Sequence, residues 1–364
     1  MKWLSDDKLR HLQAIVSDRD FSSTKYTFVR ELARGGMGTV YLAQDPELSR
    51  QVAIKVLNTP DVTDDVRRRM FREAQIIARL EHPGIVPVHD VGVLADGRVF
   101  YAMKLVRGSR LDEYTAREDS LRDRLRKFQA VCDAVAFAHA QGVIHRDLKP
   151  QNIMIGSFGE VLVLDWGVAK ILSESAAHSS EADTLKRKTA GERGTIADYE
   201  SLRDDSADDT THGTIIGTPN YMSPEQARGE IKQLDERSDI YSLGAVLYFL
   251  LTNQSPAASK APSSQNHAME AESIPRPRSI NAKVSKPAEA VCLKAMAPEN
   301  TKRYSSATEL SVDIGRLLDA EPVSAYRENA LEKLGRWLGK NRFLVFLVLA
   351  YLLMRIFFIL TARS

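Results

Sequence analysis

Cysteine is nearly absent: among 364 residues only Cys132 and Cys292 carry a thiol. Both lie in apolar helical contexts without metal-ligand spacing, which argues against a disulfide scaffold or a cysteine-held zinc and suits a reducing compartment. A dominant charge sign is also missing. Lys and Arg number 50 and Asp and Glu 48, a formal net charge of +2. With so little net charge there is no global attraction to nucleic acid, and no nucleic-acid partner is expected. The N-terminus has no long apolar run, because Lys2, Asp6 and Asp7 interrupt it, so no signal peptide is expected there. No internal repeat is visible.

What is present is an ordinary globular composition, 43% hydrophobic and 27% charged, in a chain long enough for a large core. Residues 1–25 place Leu9, Leu12 and Ile15/Val16 at helical spacing, an amphipathic extension. From Tyr26 to Val106 the runs "YTFVREL", "GTVYLAQD", "QVAIKVL", "VPVHDVGVL" and "VFYAMKLV" predict strands, interrupted by one helix, "DDVRRRMFREAQIIARL". After Gly108 helices dominate, and Leu125, Phe128, Cys132, Val135 and His139 fall on one stripe. The pattern predicts an α+β chain: a strand-rich lobe, then a helical lobe, with a cleft between. Residues 173–212, rich in Ser, Thr, Asp and Glu, bury too little apolar surface to offset chain entropy and are predicted to be mobile. Residues 253–288 read as a surface excursion.

The chemistry concentrates in a few stretches. "LARGGMGTVY" puts Gly35, Gly36 and Gly38 between two strand patterns, where backbone can approach a phosphate closely; alone, a glycine-bearing hairpin explains it as well. "VAIK" ends an apolar strand on Lys55, and Glu73 lies among apolar helix neighbours, able to orient that lysine or merely to be solvated. "VIHRDLKPQN" is the strongest signal. Asp147 can accept a hydroxyl proton, Lys149 can neutralise phosphoryl charge, and Asn152 can offer an oxygen to a hard cation. Pro150 makes the segment a loop. Asp165, after the strand "EVLVL", can supply a second metal oxygen.

Together with "DWG", "GTPNYMSPE" and "DIYSLG", these motifs resemble, in order and spacing, those of bacterial eukaryotic-like (Hanks-type) protein serine/threonine kinases over residues of about 26–320. The resemblance implies a bilobal protein kinase fold, with an N-lobe at 26–106, a C-lobe at 107–320 and residues 173–212 as an insertion in the activation segment. It implies ATP at Leu32, Ala33, Arg34, Gly35, Gly36, Met37, Gly38, Thr39, Val40, Ala53, Lys55, Glu73 and Met103, with 104–106 as the hinge. Asp147 and Lys149 become the catalytic residues, and Asn152 and Asp165 the holders of Mg2+. Glu225 is expected to pair with Arg303, and Asp239 to support the catalytic loop. Arg146 implies regulation by phosphorylation of Thr210, Thr211 or Thr214, with a homodimer for trans-autophosphorylation. Protein substrates with Ser or Thr acceptors follow from Lys149 and Thr218. Three departures stand out: Ala33 at a glycine position, Ser223 for alanine and Trp166 for phenylalanine, the last read as a packing variant. The alternative is a membrane-anchored pseudokinase or scaffold, although such proteins typically lose one of Lys55, Asp147 or Asp165, all present here.

Beyond a juxtamembrane segment, 321–342, residues 343–360 are apolar except for Arg355. As a helix they would span about 27 Å, against roughly 30 Å for a bilayer core. Arg336, Lys340 and Arg342 precede the run, with Trp337 as an interfacial aromatic. The expectation is one transmembrane helix, a single-pass protein of the cell membrane with its kinase domain cytoplasmic and only Thr361 to Ser364 beyond.

Overall fold

The computed structural model describes residues 21, 23–35, 38–57, 68, 71, 74–116, 120–166, 219–230, 234–256 and 274–361, without the side chains of 339–340, 342–344 and 356–361. Residues 1–20, the 173–212 insertion, Gly36, Met37, Glu73, Thr210, Thr211 and Thr214 therefore lie outside the described residues.

Five antiparallel strands build the N-terminal lobe: β1 (Thr27–Gly35), β2 (Gly38–Asp45), β3 (Arg50–Leu57), β4 (Val88–Val93) and β5 (Val99–Lys104), in the order β1-β2-β3-β5-β4. Their period-two alternation sorts β3 into two faces. Val52, Ile54 and Val56 enter an apolar cluster with Phe21, Tyr26, Tyr41 and Phe100, while Ala53 and Leu57 enter another with Val86, Tyr101 and Met103. Lys55 belongs to the second face by parity, so the lysine is carried on the side of the sheet that closes the cleft. The β1–β2 hairpin ends at the Gly35↔Gly38 pair. A Cβ at Gly38 would overlap the Val56 carbonyl oxygen, so contact between β2 and β3 already requires glycine there, before any ligand is considered.

In the C-terminal lobe a small sheet, β6 (Gly108–Arg110), β7 (Ile153–Gly156) and β8 (Val161–Val163), lies among helices α1 (Leu111–Thr115) and α2 (Leu121–Ala140). Next come α3 (Pro224–Ala227), α4 (Glu236–Thr252), α5 (Pro277–Ile280), α6 (Lys286–Ala295) and α7 (Ala307–Leu318). The α2 stripe of Leu125, Phe128, Cys132, Val135 and His139 is buried. Both cysteines are free and fully buried, and burial raises both thiols, so each is an inert core residue.

Two helices end the chain, α8 (Ala330–Lys340) and α9 (Arg342–Thr361). Among the described residues no helix is long and apolar enough to cross a membrane. The described side chains of α9 run only from Val345 to Arg355, so the transmembrane helix expected over 343–360 finds no support there.

Candidate active site

The two lobes meet at an ion pair. Lys55 Nζ lies 2.8 Å from Asp165 Oδ1, with the lysine side chain 7% exposed. Asp165 follows β8 with φ at +56°, a left-handed conformation that a residue with a Cβ adopts at some cost. That turn faces the carboxylate toward Lys55 instead of continuing the strand. Tyr101 completes the group. It is the cross-strand partner of Lys55 in the β3–β5 register, and its hydroxyl donates to Asp165 Oδ1 at 3.4 Å. Burial disfavours the Lys55 ammonium, but interactions with Tyr101 and Asp165 more than offset it and hold the pKa raised. The lysine is therefore a cation throughout the physiological range.

The loop before β7 gathers a second group. Lys149 Nζ donates to Asp147 Oδ2 at 2.9 Å, and Asn152 Nδ2 donates to the same oxygen at 3.1 Å and to the Asp147 carbonyl at 2.8 Å. Pro150 opens the short 3-10 turn Pro150–Asn152, which keeps these three side chains together. With its amide nitrogen committed to Asp147, Asn152 keeps Oδ1 for a hard cation. The Leu164 amide donates to the Asn152 carbonyl at 2.8 Å, so the strand delivering Asp165 is tied to the residue that would share a metal with it. Two protein oxygens, with phosphate and water completing the shell, fit Mg2+. Among the described residues no cluster of three or more His, Cys, Asp or Glu could hold a metal by itself.

Asp239, at the start of α4, holds the loop from beneath. It accepts from the amides of His145 and Arg146 at 2.7 and 2.8 Å and from His139 Nε2 at 2.8 Å. Burial works to raise its carboxyl, but the bond from His139 and the neighbouring donors win and hold it lowered. Arg146, at φ +65°, turns the chain so that His145 points inward and Asp147 toward the cleft. His145 is fully buried and its pKa is lowered by burial. Its Nε2 donates to the Leu164 carbonyl at 2.9 Å and its Nδ1 accepts from the Asp147 amide at 3.2 Å, which fixes a neutral tautomer.

Trp166 answers its own departure from pattern. The ring is 2% exposed, packs 4.8 Å from His145 and donates its indole N–H to the Val163 carbonyl at 3.2 Å. With Ala74, Ile77 and Met103 it lines a narrow cavity of about 10 Å3 behind Asp165. The larger ring is thus accommodated while Asp165 still faces Lys55.

Further out, Arg303 donates to both Glu225 oxygens at 2.7 and 2.9 Å and to the carbonyls of Ala297, Arg237 and Pro298, which uses all five guanidinium N–H groups. Burial pushes the Glu225 carboxyl up, but the Arg303 hydrogen bonds outweigh it and hold the pKa at about 2. Ser223 caps α3 by accepting from the Gln226 amide at 3.4 Å, and Gln226 Nε2 donates to the Arg146 carbonyl at 2.9 Å. The serine is therefore a working helix cap, more than a near-isostere of alanine.

Of the residues expected to bind nucleotide, Ala53 and Met103 lie buried on the cleft face with Val40 packed against them. Leu32, Ala33, Arg34 and Gly35 are exposed along β1, and Thr39 is buried in β2. Sequence reading missed Tyr101, His145 and Gln226; the only available signal for Tyr101 was a hydroxyl-bearing ring two positions before Met103, on the same strand face.

Comparison with known proteins agrees with this architecture. The protein kinase domain model matches residues 26–313. Serine/threonine-protein kinase PknD of Chlamydia pneumoniae is 34% identical over 315 residues, 82% of this chain and 31% of that protein. PknD of Protochlamydia amoebophila is 36% identical over 248 residues, 64% of this chain and 23% of its own length. The chain thus spans less than a third of the length of these relatives. The crystal structure of the Mycobacterium tuberculosis PknI kinase domain superposes with a TM-score of 0.56 at 24% identity, covering 80% of this chain and 96% of that one, a likeness of fold. With most of its length matched by the domain model and its two lobes closed on this cleft, the chain belongs to the protein kinase family.

Proposed function

We propose that the chain is an ATP-dependent protein serine/threonine kinase, moving the γ-phosphate of ATP to Ser or Thr hydroxyls of protein substrates. One observation carries the reading: a cleft lysine in contact with Asp165, beside an Asp147 carboxylate that already holds Lys149 and Asn152. The family uses ATP with Mg2+, and Asn152 and Asp165 would hold the ion, which when bound neutralises charge on the phosphates. Lys55 neutralises the α and β phosphates of the nucleotide seated against Ala53, Val40 and Met103. Asp147 orients the acceptor hydroxyl and takes its proton as that oxygen bonds to the γ-phosphorus and the bond to the β–γ bridging oxygen breaks, releasing ADP. Lys149 offsets the charge on the phosphoryl group in flight. Phosphate on Thr210, Thr211 or Thr214 would pair with Arg146 and so regulate the enzyme, with one copy acting on another in a homodimer. Incubation with labelled ATP, Mg2+ and a mixed acceptor protein should yield phosphoserine or phosphothreonine, and Lys55→Met should abolish it. Equal incorporation by Lys55→Met, or none by either, would support the scaffold reading.

We further propose that the protein is anchored in the cell membrane through 343–360, its kinase domain on the cytoplasmic side. The support is the apolar run broken only by Arg355, the basic residues Arg336, Lys340 and Arg342 before it, and the exposure of Phe346 to Leu349 and of Tyr351 to Met354 on α9. The chain should resist alkaline carbonate extraction, and deletion of 343–364 should release it; extraction of the full chain into the supernatant would contradict the anchor.

A further inference from the structure

α8 has two faces. Leu331, Leu334 and Leu338 share one at helical spacing, with Trp337 beside them, and these side chains are respectively 82%, 53%, 39% and, for the tryptophan, 52% exposed. Glu332 and Arg336, four residues apart, lie opposite. Glu332 accepts from Lys286 Nζ of α6 at 2.7 Å and from the Tyr326 hydroxyl at 3.0 Å, while Arg336 pairs with Glu328 at 2.7 Å. The polar side therefore fastens the helix to the kinase domain, and the apolar side faces away from it. An 11-residue helix carrying glycine at 335 and 339 gains little from propensity, so such a stripe needs a partner surface.

The surrounding charge identifies that surface. Beside Tyr326 a cavity of about 310 Å3 is lined by Arg276, Arg278 and Lys286, with Glu289 among them. On this domain side of α8 acids and cations are largely paired with one another: Glu289 accepts from the Arg278 amide at 3.0 Å, Glu328 from Arg336, and Glu332 from Lys286 and Tyr326. Lys333 adds a further exposed cation on the flank of α8. A basic segment, with Lys333, Lys340 and Arg342 in sequence, that carries an apolar stripe with a tryptophan in it is what an anionic lipid interface recognises. Only Asn341 separates α8 from α9, whose side chains from Phe346 to Arg355 are exposed as well.

We propose that α8 lies in the headgroup layer of an anionic phospholipid bilayer. Leu331, Leu334, Trp337 and Leu338 dip among the acyl chains, and the exposed Lys333 on the flank of the helix meets the phosphates. Through Glu332 and Lys286 the kinase domain is then held at one orientation on the membrane. The inference rests on the membrane reading of 343–360, and its test separates the two.

Because Cys132 and Cys292 are fully buried, an introduced surface cysteine can be labelled alone. Full-length Leu334→Cys, Leu349→Cys and Phe158→Cys proteins carry an environment-sensitive fluorophore in nanodiscs of phosphatidylcholine and phosphatidylglycerol, one copy per disc. Brominated acyl chains should quench the label at 334 several-fold more than the label at 158, which is 99% exposed in the native chain. A quenched label at 349 with a solvent-like label at 334 overturns the α8 proposal and leaves the anchor standing. Labels unquenched at both positions overturn both. A blue-shifted but unquenched label at 334 assigns the stripe to a protein partner and also overturns the proposal.

Discussion

Tyr101 illustrates how one hydroxyl conditions the cleft. Asp165 Oδ1 accepts from Lys55 and Tyr101 together, so its carboxylate is held by two donors. Removing one neutral donor typically costs about 0.5–1.5 kcal/mol. Tyr101→Phe keeps the ring, and kcat/KM should fall about 2- to 10-fold in steady-state phosphorylation; an unchanged value would mean the hydroxyl only fills space. The motif residues were legible in the sequence because phosphoryl chemistry demands particular groups: a lone lysine in an apolar strand, a carboxylate and an amide around one proline. Tyr101 was not legible, since it reads as one more member of a strand alternation. Only the pairing of β3 with β5 brings its hydroxyl to Asp165. Trp166 was half legible: its identity raised the question, and the bond to the Val163 carbonyl, which phenylalanine cannot make, answers it.

Secondary elements divide in the same way. The five strands of the large sheet were readable from alternation and turn residues, and α2 from its stripe. The three-residue β6 and the helix α8 were not, the latter because 321–342 was read for charge and position alone, while its form depends on Glu332 finding Lys286 on α6. Between α3 and the turn before α7, Glu225 and Arg303 form a joint with a pH signature. The Glu225 carboxyl sits at about 2 in the fold, against an ordinary 4.5. A carboxyl depressed by folding contributes stability that is fully present above its unfolded value and lost as pH falls through the folded one. Urea unfolding midpoints should thus drop between about pH 4.5 and pH 2 in a component that Glu225→Gln removes. Near neutral pH, Arg303→Ala leaves a buried carboxylate without its partner and should cost about 3–5 kcal/mol. An unaltered midpoint in Arg303→Ala would contradict the structural role of the pair.

For the whole molecule, the proposed catalysis depends on two lobes contributing to one centre: the sheet brings Lys55 and Tyr101, and the helical lobe brings Asp147, Asn152 and Asp165. The central claim is that Trp166 supports this centre and that Asp165 still serves it. The most direct measurement is single-turnover transfer from labelled ATP with Mg2+ in wild-type, Trp166→Phe and Asp165→Asn proteins of matched thermal stability. The expected result is a Trp166→Phe rate within about tenfold of wild type, about 1.4 kcal/mol of barrier, and an Asp165→Asn rate lower by about 10²–10³-fold, as for loss of a charge-stabilising group. A wild-type rate no greater than that of Asp165→Asn would contradict the account.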